Sequence, residues 1–315
     1  MKTDAGGPMK MTCMEDLLAA AARTGPMPRV AVAASAQDVA LLAALDAHAR
    51  GIAEPVLVGD LEETRRIAGR AGVDISALES HHVPDKAGAV QHALALFRAG
   101  DVSMLMKGNV NTDVLLKGVL NKETGVPPAG ILSHVAVFCL PGEHRLRLLT
   151  DAGVNIAPNL QRKAEIVRNA LHVARSLGLE RPRAAMLAAT EKVMYPAMPA
   201  TLDAQMVARM SAEGAFGDAV VSGPMALDLA VSPAAVARKG FEDPVAGNAD
   251  VLVAPDIESG NVLYKTLTTL LDLPVAGIVA GSRIPLIVPS RGDSDRSKLY
   301  ALALAAYMTR KECTG

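Results

Sequence analysis

Short runs of small and β-branched apolar residues alternate with longer stretches of helical periodicity along almost the whole chain. That alternation restricts the fold to an α/β class, a mostly parallel sheet covered by helices on both faces. Arg29 to Ala34 reads as a first buried strand, and a helix follows over Gln37 to His48. Pro55 to Val58 is a second strand, Leu61 to Gly72 a helix, and His82-Val83 sits near a short strand. Lys86 to Ala99 reads as a helix, and Val102 to Met106 as a strand running straight into Lys107-Gly108. Half of the 315 residues are apolar, enough for a sizeable core, and about 150 residues per domain predicts two domains or one large one.

From Ile131 to Thr150 the rhythm changes. Ile131 to Phe138 and Arg145 to Leu149 flank Pro141-Gly142, which predicts an antiparallel pair carrying the chain into a second lobe. There the alternation resumes. Helices are read over Leu160 to Leu177, Thr201 to Met210 and Val262 to Leu271. Strands are read over Ala184 to Ala188, Ala219 to Val221, Val251 to Val253, Val275 to Val279 and Leu286 to Val288. A last helix spans Ser294 to Met308. No linker rich in Gly, Ser or Pro separates the halves, so the lobes are expected to share a sheet or to cross over more than once.

Composition excludes several classes. A net charge of -1 gives no basic field for nucleic acid, and 3% aromatics with no Trp leaves little for base stacking along a strand. No apolar run approaches the ~18 residues of a membrane span. Leu17 to Ala22 is too short for a signal segment, and Leu299 to Met308 reads as a buried helix. Cys13, Cys139 and Cys313 form no CxxC pair, which argues against a disulfide framework or thiolate zinc site and fits a reducing cytoplasm. Cys139, among Ala136-Val-Phe138 and Leu140, reads as a core thiol rather than an acyl-accepting nucleophile. His81, His82 and His92 lack zinc-ligand spacing and read as surface histidines.

In parallel α/β sheets ligands bind beyond the carboxyl ends of strands. Five such segments concentrate polar groups. Lys107-Gly-Asn-Val-Asn-Thr112 joins a strand to a helix and suits an anion, although Asn111 or Thr112 as an ordinary cap explains it equally. Thr150 to Pro158 holds Asp151 and Asn155, either orienting a polar ligand or forming a turn, with Asn159 as cap of the next helix. Ser222-Gly-Pro-Met-Ala-Leu-Asp228 follows a strand, and Gly223 permits close backbone approach. Pro255 to Lys265 delivers Asp256 and Glu258, then Ser-Gly-Asn. Asn261 and Lys265 share one helical face. Ser290-Arg-Gly-Asp293 combines a hydroxyl, a guanidinium and a helix start, which suits a phosphate. Asp293 or Ser294 as an N-cap is the competing explanation.

Together these segments resemble the phosphate acetyltransferase/phosphate butyryltransferase family. The matching residues are Lys107-Gly108 with Asn111-Thr112, Asp151 with Asn155-Ile-Ala-Pro158, and Ser222-Gly-Pro with Ala226-Leu-Asp228. Pro255 with Glu258 and Gly260-Asn261 to Lys265, and Ser290-Arg291, complete the set. Ala226-Leu-Asp228 and Leu263-Tyr-Lys265 are similar to the butyryl branch. The resemblance implies two α/β domains of the isocitrate/isopropylmalate dehydrogenase type, residues 1–140 with 282–315 and residues 141–281, with a cleft between them, and a homodimer. It implies the reaction of an acyl-CoA with inorganic phosphate to give acyl phosphate and CoA, with no metal and no redox cofactor. Ser290, Arg291 and Asp293 would be catalytic. Ser290 would donate to the leaving sulfur or the oxyanion, and Arg291 would bind phosphate. Lys107, Asn111, Thr112, Arg145, Asp151, Asn155, Glu258, Asn261 and Lys265 would bind substrate, with Arg147 an alternative to Arg145. In the acetyl branch an Asp seven residues after the Ser acts as base on the CoA thiol. Here that position is Ser297, so the assignment passes to Asp293. Two readings compete: a metal- and NAD(P)-dependent dehydrogenase of the same fold, although Ala33-Ala-Ser-Ala36 is no GxGxxG, and a CoA-binding module without turnover.

Overall fold

The computed structural model describes residues 11–22, 26–290 and 292–312. They form two compact units, each a mostly parallel sheet flanked by helices. One unit comprises residues 15–132 and the chain from Pro274 onward; the other comprises residues 11–14 with Ser133–Leu273. Breaks at residues 132/133 and 273/274 thus lie eight residues before those read from the sequence, and the start of the described chain groups with the middle.

In the first unit α1 (Met14–Ala21) leads into β1 (Arg29–Ala33), α2 (Asp38–Ala49), β2 (Glu54–Gly59) and α3 (Leu61–Arg70). Then come β3 (Ser80–His82), α4 (Lys86–Ala99), β4 (Met104–Lys107) and α5 (Thr112–Leu120). After its excursion the chain returns as β10 (Ala276–Ala280), β11 (Leu286–Ile287) and α11 (Asp295–Glu312). The strand order is β3-β2-β1-β4-β11-β10, parallel except for the β10–β11 pair. β1 and β2 are buried at every position after the first, and β4 throughout. This is why their sequences are continuous rather than alternating apolar runs: helices cover both faces. Leu299–Ala306 of α11 is buried on every side, so this helix lies inside the unit, and no described helix is long and apolar enough to cross a membrane.

In the second unit β5 (Ser133–Phe138) pairs antiparallel with β6 (Arg147–Thr150), as the pattern around Pro141-Gly142 predicts. α6 (Leu160–Ser176), β7 (Arg183–Leu187), α7 (Pro199–Ala212) and β8 (Val220–Met225) follow. Then come the short α8 (Leu227–Val231) and α9 (Pro233–Lys239), β9 (Val251–Val253), α10 (Ile257–Lys265) and a π-helical turn, Thr266–Leu270. The order is β5-β6-β9-β7-β8, with β6, β9, β7 and β8 parallel.

Two expectations are corrected and one open alternative is decided. Ser222-Gly-Pro lies within β8 rather than after it. Gly223 has φ +153 and a Cβ there would stand 2.7 Å from Met186 Cβ, so the strand passes its neighbour at backbone distance and needs glycine. The helix read over Val262 to Leu271 begins five residues earlier, because Asp256 caps it by accepting from Ser259 N at 2.8 Å. Ser294, not Asp293, caps α11: its Oγ accepts from Ser297 N at 3.2 Å.

Candidate functional site

In the first unit two of the polar segments leave adjacent parallel strands at the same end of the sheet. Ile287 of β11 is in register with Met106 of β4, so Lys107–Thr112 and Ser290–Asp293 emerge side by side. Gly108 holds the first loop against the end of β1. Its N–H donates to Ala33 O at 2.8 Å and that of Asn109 to Ala34 O at 2.7 Å, while a Cβ at 108 would overlap the Ala34 carbonyl. Lys107 is buried and its Nζ donates to Val110 O at 3.2 Å and Gly108 O at 3.4 Å. An ammonium is thus fixed beneath the loop that opens α5. Asn111 stands at the cap position of α5, but its side chain makes no capping bond. The exposed Asn111 amide and the Thr112 hydroxyl therefore stand beside a positive helix end without the capping job that composition alone would have assigned.

In the neighbouring loop Asp293 Oδ2 accepts from Ser290 N at 2.7 Å and Ser290 Oγ from Gly292 N at 3.4 Å. Because Ser294 does the capping, the Asp293 carboxylate is turned back toward the serine. Arg291 lies outside the described residues. Ser297, where the acetyl branch carries an acid, is buried, and its Oγ accepts the N–H of Val275 at 3.0 Å.

The second unit gathers another group at the carboxyl ends of β6 and β9. Asp151 is buried and accepts four hydrogen bonds. Oδ1 takes the N–H groups of Gly153 (2.8 Å) and Val154 (3.0 Å); Oδ2 takes Asn155 N (3.1 Å) and Asn155 Nδ2 (2.7 Å). Asn155 Oδ1 accepts from Arg162 Nη1 at 3.2 Å. Asp151 and Asn155 are therefore spent largely on shaping their own turn. Against it packs α10: Asn261 Nδ2 donates to Ala152 O at 3.1 Å, and Gly260 has no room for a Cβ beside the Asp151 carbonyl. Glu258 and Asn261 are exposed on α10, and Lys265 Nζ lies 5.1 Å from the Tyr264 ring centroid.

Sequence reasoning missed an ion pair near this group, from the buried Lys163 Nζ to the half-buried Asp203 Oδ2 at 2.8 Å. Its signal was present, since Lys163 shares an apolar helical stripe with Ile166, Val167 and Ala170. Burial raises the pKa of Asp256, but hydrogen bonds from Ser259 and the charge of Lys163 outweigh it, so the carboxyl is held below its usual range.

Arg145 is not brought to this group. It precedes β6, at the opposite end of the sheet, roughly 20 Å of extended chain from Asp151. There its Nη2 donates to Asn248 O (3.1 Å), Ala249 O (2.6 Å) and Asp250 Oδ1 (3.0 Å). Arg147 is fully buried, bound by Glu143 at 2.7 and 2.8 Å and by Ala249 O at 2.7 Å. Asp228, in the third segment, pairs on the surface with Lys239 at 3.0 Å. An open groove of about 880 Å³ along β8, lined by Arg181, Ser211, Asp218, Ser222 and Asp243 among others, includes none of the proposed catalytic residues.

Paired strand ends thus bring together an ammonium, a helix start, a serine and a neighbouring carboxylate at the carboxyl end of a mostly parallel sheet, where α/β proteins bind ligands. Comparison with known proteins gives the class: residues 86–306 match the phosphate acetyl/butaryl transferase family, and the chain belongs to it. It is 43% identical over 280 residues to the phosphate butyryltransferase of Clostridium acetobutylicum, covering 89% of this chain and 93% of that protein. It is 38% identical over 297 residues to the phosphate acetyltransferase of Rhizobium meliloti, covering 94% of each. A branched-chain phosphotransacylase from Enterococcus faecalis V583 is structurally similar, with TM-score 0.79 and 35% identity over 90% of this chain and 99% of that one. The chain is thus an acyltransferase, and the dehydrogenase reading is not favoured.

Proposed function

We propose that the protein transfers a short acyl group reversibly between CoA and inorganic phosphate, with Ser290, Arg291 and Asp293 at the reacting centre. The observation that carries this is the in-register pairing of β4 and β11, from which the Lys107–Thr112 and Ser290–Asp293 loops leave together. Lys107, Asn111, Thr112 and Arg291 bind the phosphate dianion. A phosphate oxygen attacks the thioester carbonyl, and loop N–H groups and the Ser290 hydroxyl stabilise the oxyanion. The C–S bond then breaks, giving acyl phosphate. The proton of the attacking phosphate passes through Asp293 to the departing sulfur, leaving CoA as a thiol. In reverse, Asp293 takes that proton. Holding both substrates in line supplies much of the acceleration. No resident metal or redox cofactor takes part in these steps.

Glu258, Asn261 and Lys265 on α10 are assigned to substrate binding, and the Asp151–Asn155 turn sets the position of that helix. The fold is of the isocitrate/isopropylmalate dehydrogenase type, and the enzyme works in the cytoplasm as a homodimer. The exposure of Ile156 (74%), Val262 (67%) and Leu270 (77%) in the second unit supports a subunit contact there. The relatives' names support an acyl chain in the butyryl rather than the acetyl class. Incubation with C2 to C5 acyl-CoA and phosphate should release free thiol, fastest for C4 and C5. No thiol release with any of them, or undiminished activity in Arg291→Ala, would overturn the reading.

A further inference from the structure

Ala34 is the first residue past β1, and its φ of 57° puts an alanine in the left-handed region that normally selects glycine. Among the described residues only one other non-glycine residue, Asp272, has a positive φ. Backbone in so sparsely populated a region persists only where its surroundings fix it, and it concentrates at ligand clamps.

Those surroundings are explicit, and all of them lie in the first unit. Along an extended strand successive carbonyls point to opposite edges. Here the carbonyls of two consecutive residues are both taken by one loop. Ala33 O accepts from Gly108 N at 2.8 Å and Ala34 O from Asn109 N at 2.7 Å. The left-handed turn at Ala34 swings the second carbonyl to the side of the first. The β1–β4 register ends with Ala33 opposite Lys107, so these two bonds carry the contact past the sheet and onto the loop that leads to Asn111 and Thr112. On its other flank the turn is gripped by β2 and α3. Ser35 N donates to Val58 O at 3.0 Å. The hydroxyls of Ser35 and Thr64, both fully buried residues, lie 2.9 Å apart. Thr64 gives its proton to Asp60 O at 2.6 Å, so Ser35 is the donor between the two.

We infer that Ala34 is a positioning residue for the phosphate: its left-handed backbone, clamped through Ser35 to Val58 and Thr64, sets the place of the Lys107–Thr112 loop without touching substrate. This rests on the phosphate-binding reading of that loop and adds to it the brace that holds the loop in position. Because Lys107 Nζ donates to Val110 O and Gly108 O, the ammonium moves wherever the braced loop moves.

The test varies the conformational tolerance of position 34. Glycine adopts a left-handed φ freely, whereas a β-branched side chain resists it. Ala34→Gly, the conservative variant, should keep both KM values within twofold of wild type. Ala34→Val should raise KM for phosphate about 10-fold, the worth of one hydrogen bond to a charged group, while KM for butyryl-CoA stays within twofold. Deuterium uptake in the peptide covering Met104–Leu115 should speed up in the valine variant and not in the glycine one. Should the valine variant fail to fold, Ser35→Ala decides. There the Thr64 proton keeps its acceptor, and the same split between the two KM values is expected at about threefold. Unchanged uptake with unchanged KM for phosphate, or equal rises in both KM values, would overturn the assignment. Thr112→Ala separates it from the parent reading, since it removes a hydroxyl of the loop and leaves the brace intact. If Thr112→Ala keeps the wild-type KM for phosphate while Ala34→Val still speeds uptake, the brace stands and the phosphate reading falls. If Thr112→Ala raises that KM and Ala34→Val does not, the brace falls alone.

Discussion

The hydroxyl of Ser297 accepts the backbone N–H of Val275 at 3.0 Å. Val275 opens the segment in which the chain returns to the first unit, and Ser297 lies in the first turn of α11, just past the Ser290 loop. One buried hydrogen bond therefore fixes where that loop starts relative to β10. The same hydroxyl also lies 3.0 Å from Ser294 Oγ, so its capacity is used within the fold. A residue so placed anchors the loop.

Ser297→Ala should lower stability by about 1–3 kcal/mol, because it leaves the Val275 N–H buried without a partner. Ser297→Asp should be destabilised as well and gain no activity, since its carboxylate would enter a buried hydrogen-bonded niche rather than face the thiol. Urea midpoints together with kcat for both variants check this.

Asp293→Asn is the sharper probe of the reaction. The amide oxygen can still accept from Ser290 N, so the loop keeps its shape while losing its charge and its basicity. Thiol deprotonation in the acyl-phosphate-plus-CoA direction should slow by about 10²–10⁴-fold, the usual worth of a general base. KM for phosphate should change little, and the melting temperature should stay near wild type. A variant as fast as wild type would remove Asp293 from the mechanism.

Much of the framework was legible because both-face burial writes itself as continuous apolar runs. Val251–Val253 and Lys86–Ala99 lie where pattern alone puts them. The misreadings have physical causes. Gly223 and Pro224 look like strand breakers, yet close packing on Met186 keeps them inside β8. Ser-Gly-Asn is legible as a helix opening, but the helix is read from Val262, whereas the Asp256 cap starts it at Ile257. α8 and α9 are too short to establish a 3.6-residue period. The site was legible as five polar strand ends, but not which polar atoms are already spent. Asp151 looks like a ligand in sequence and proves to be the hub of a four-bond turn.

Arg145 illustrates the same limit and yields a prediction. The family resemblance assigns it to substrate binding together with Asp151, but the chain between them is a strand, and a strand separates its ends. Its Nη2 instead ties the residues entering β9, with Arg183 also on Asp250 through a backbone N–H at 2.8 Å. Arg145→Ala should cost about 1–3 kcal/mol of stability through the lost charge-assisted bonds. KM for phosphate should stay within twofold of wild type. A tenfold rise in that KM without destabilisation would restore Arg145 to the anion site.

The last prediction concerns acid stability. The ring of His92 of α4 lies tilted against that of His81 of β3 with centroids 4.6 Å apart, and its Nε2 is buried without a hydrogen-bond partner among the described residues. Burial, reinforced by the neighbouring His81, lowers its pKa below the usual imidazole range near 6.5. His81 is itself held by Glu79 at 3.0 Å, and Glu79 also pairs with Arg29. The sign follows from linkage. Below about pH 6.5 the unfolded chain protonates His92 while the folded protein still keeps it neutral, so the unfolded state binds more protons. Stability is therefore full above that pH, falls as the pH drops through it, and levels off below the folded pKa. His92→Leu removes the proton-binding difference. Urea midpoints of wild type and variant should converge or favour wild type at pH 7.5, and the variant should gain relative to wild type by pH 5. A constant offset between the two across that range would show that His92 does not titrate differently on folding.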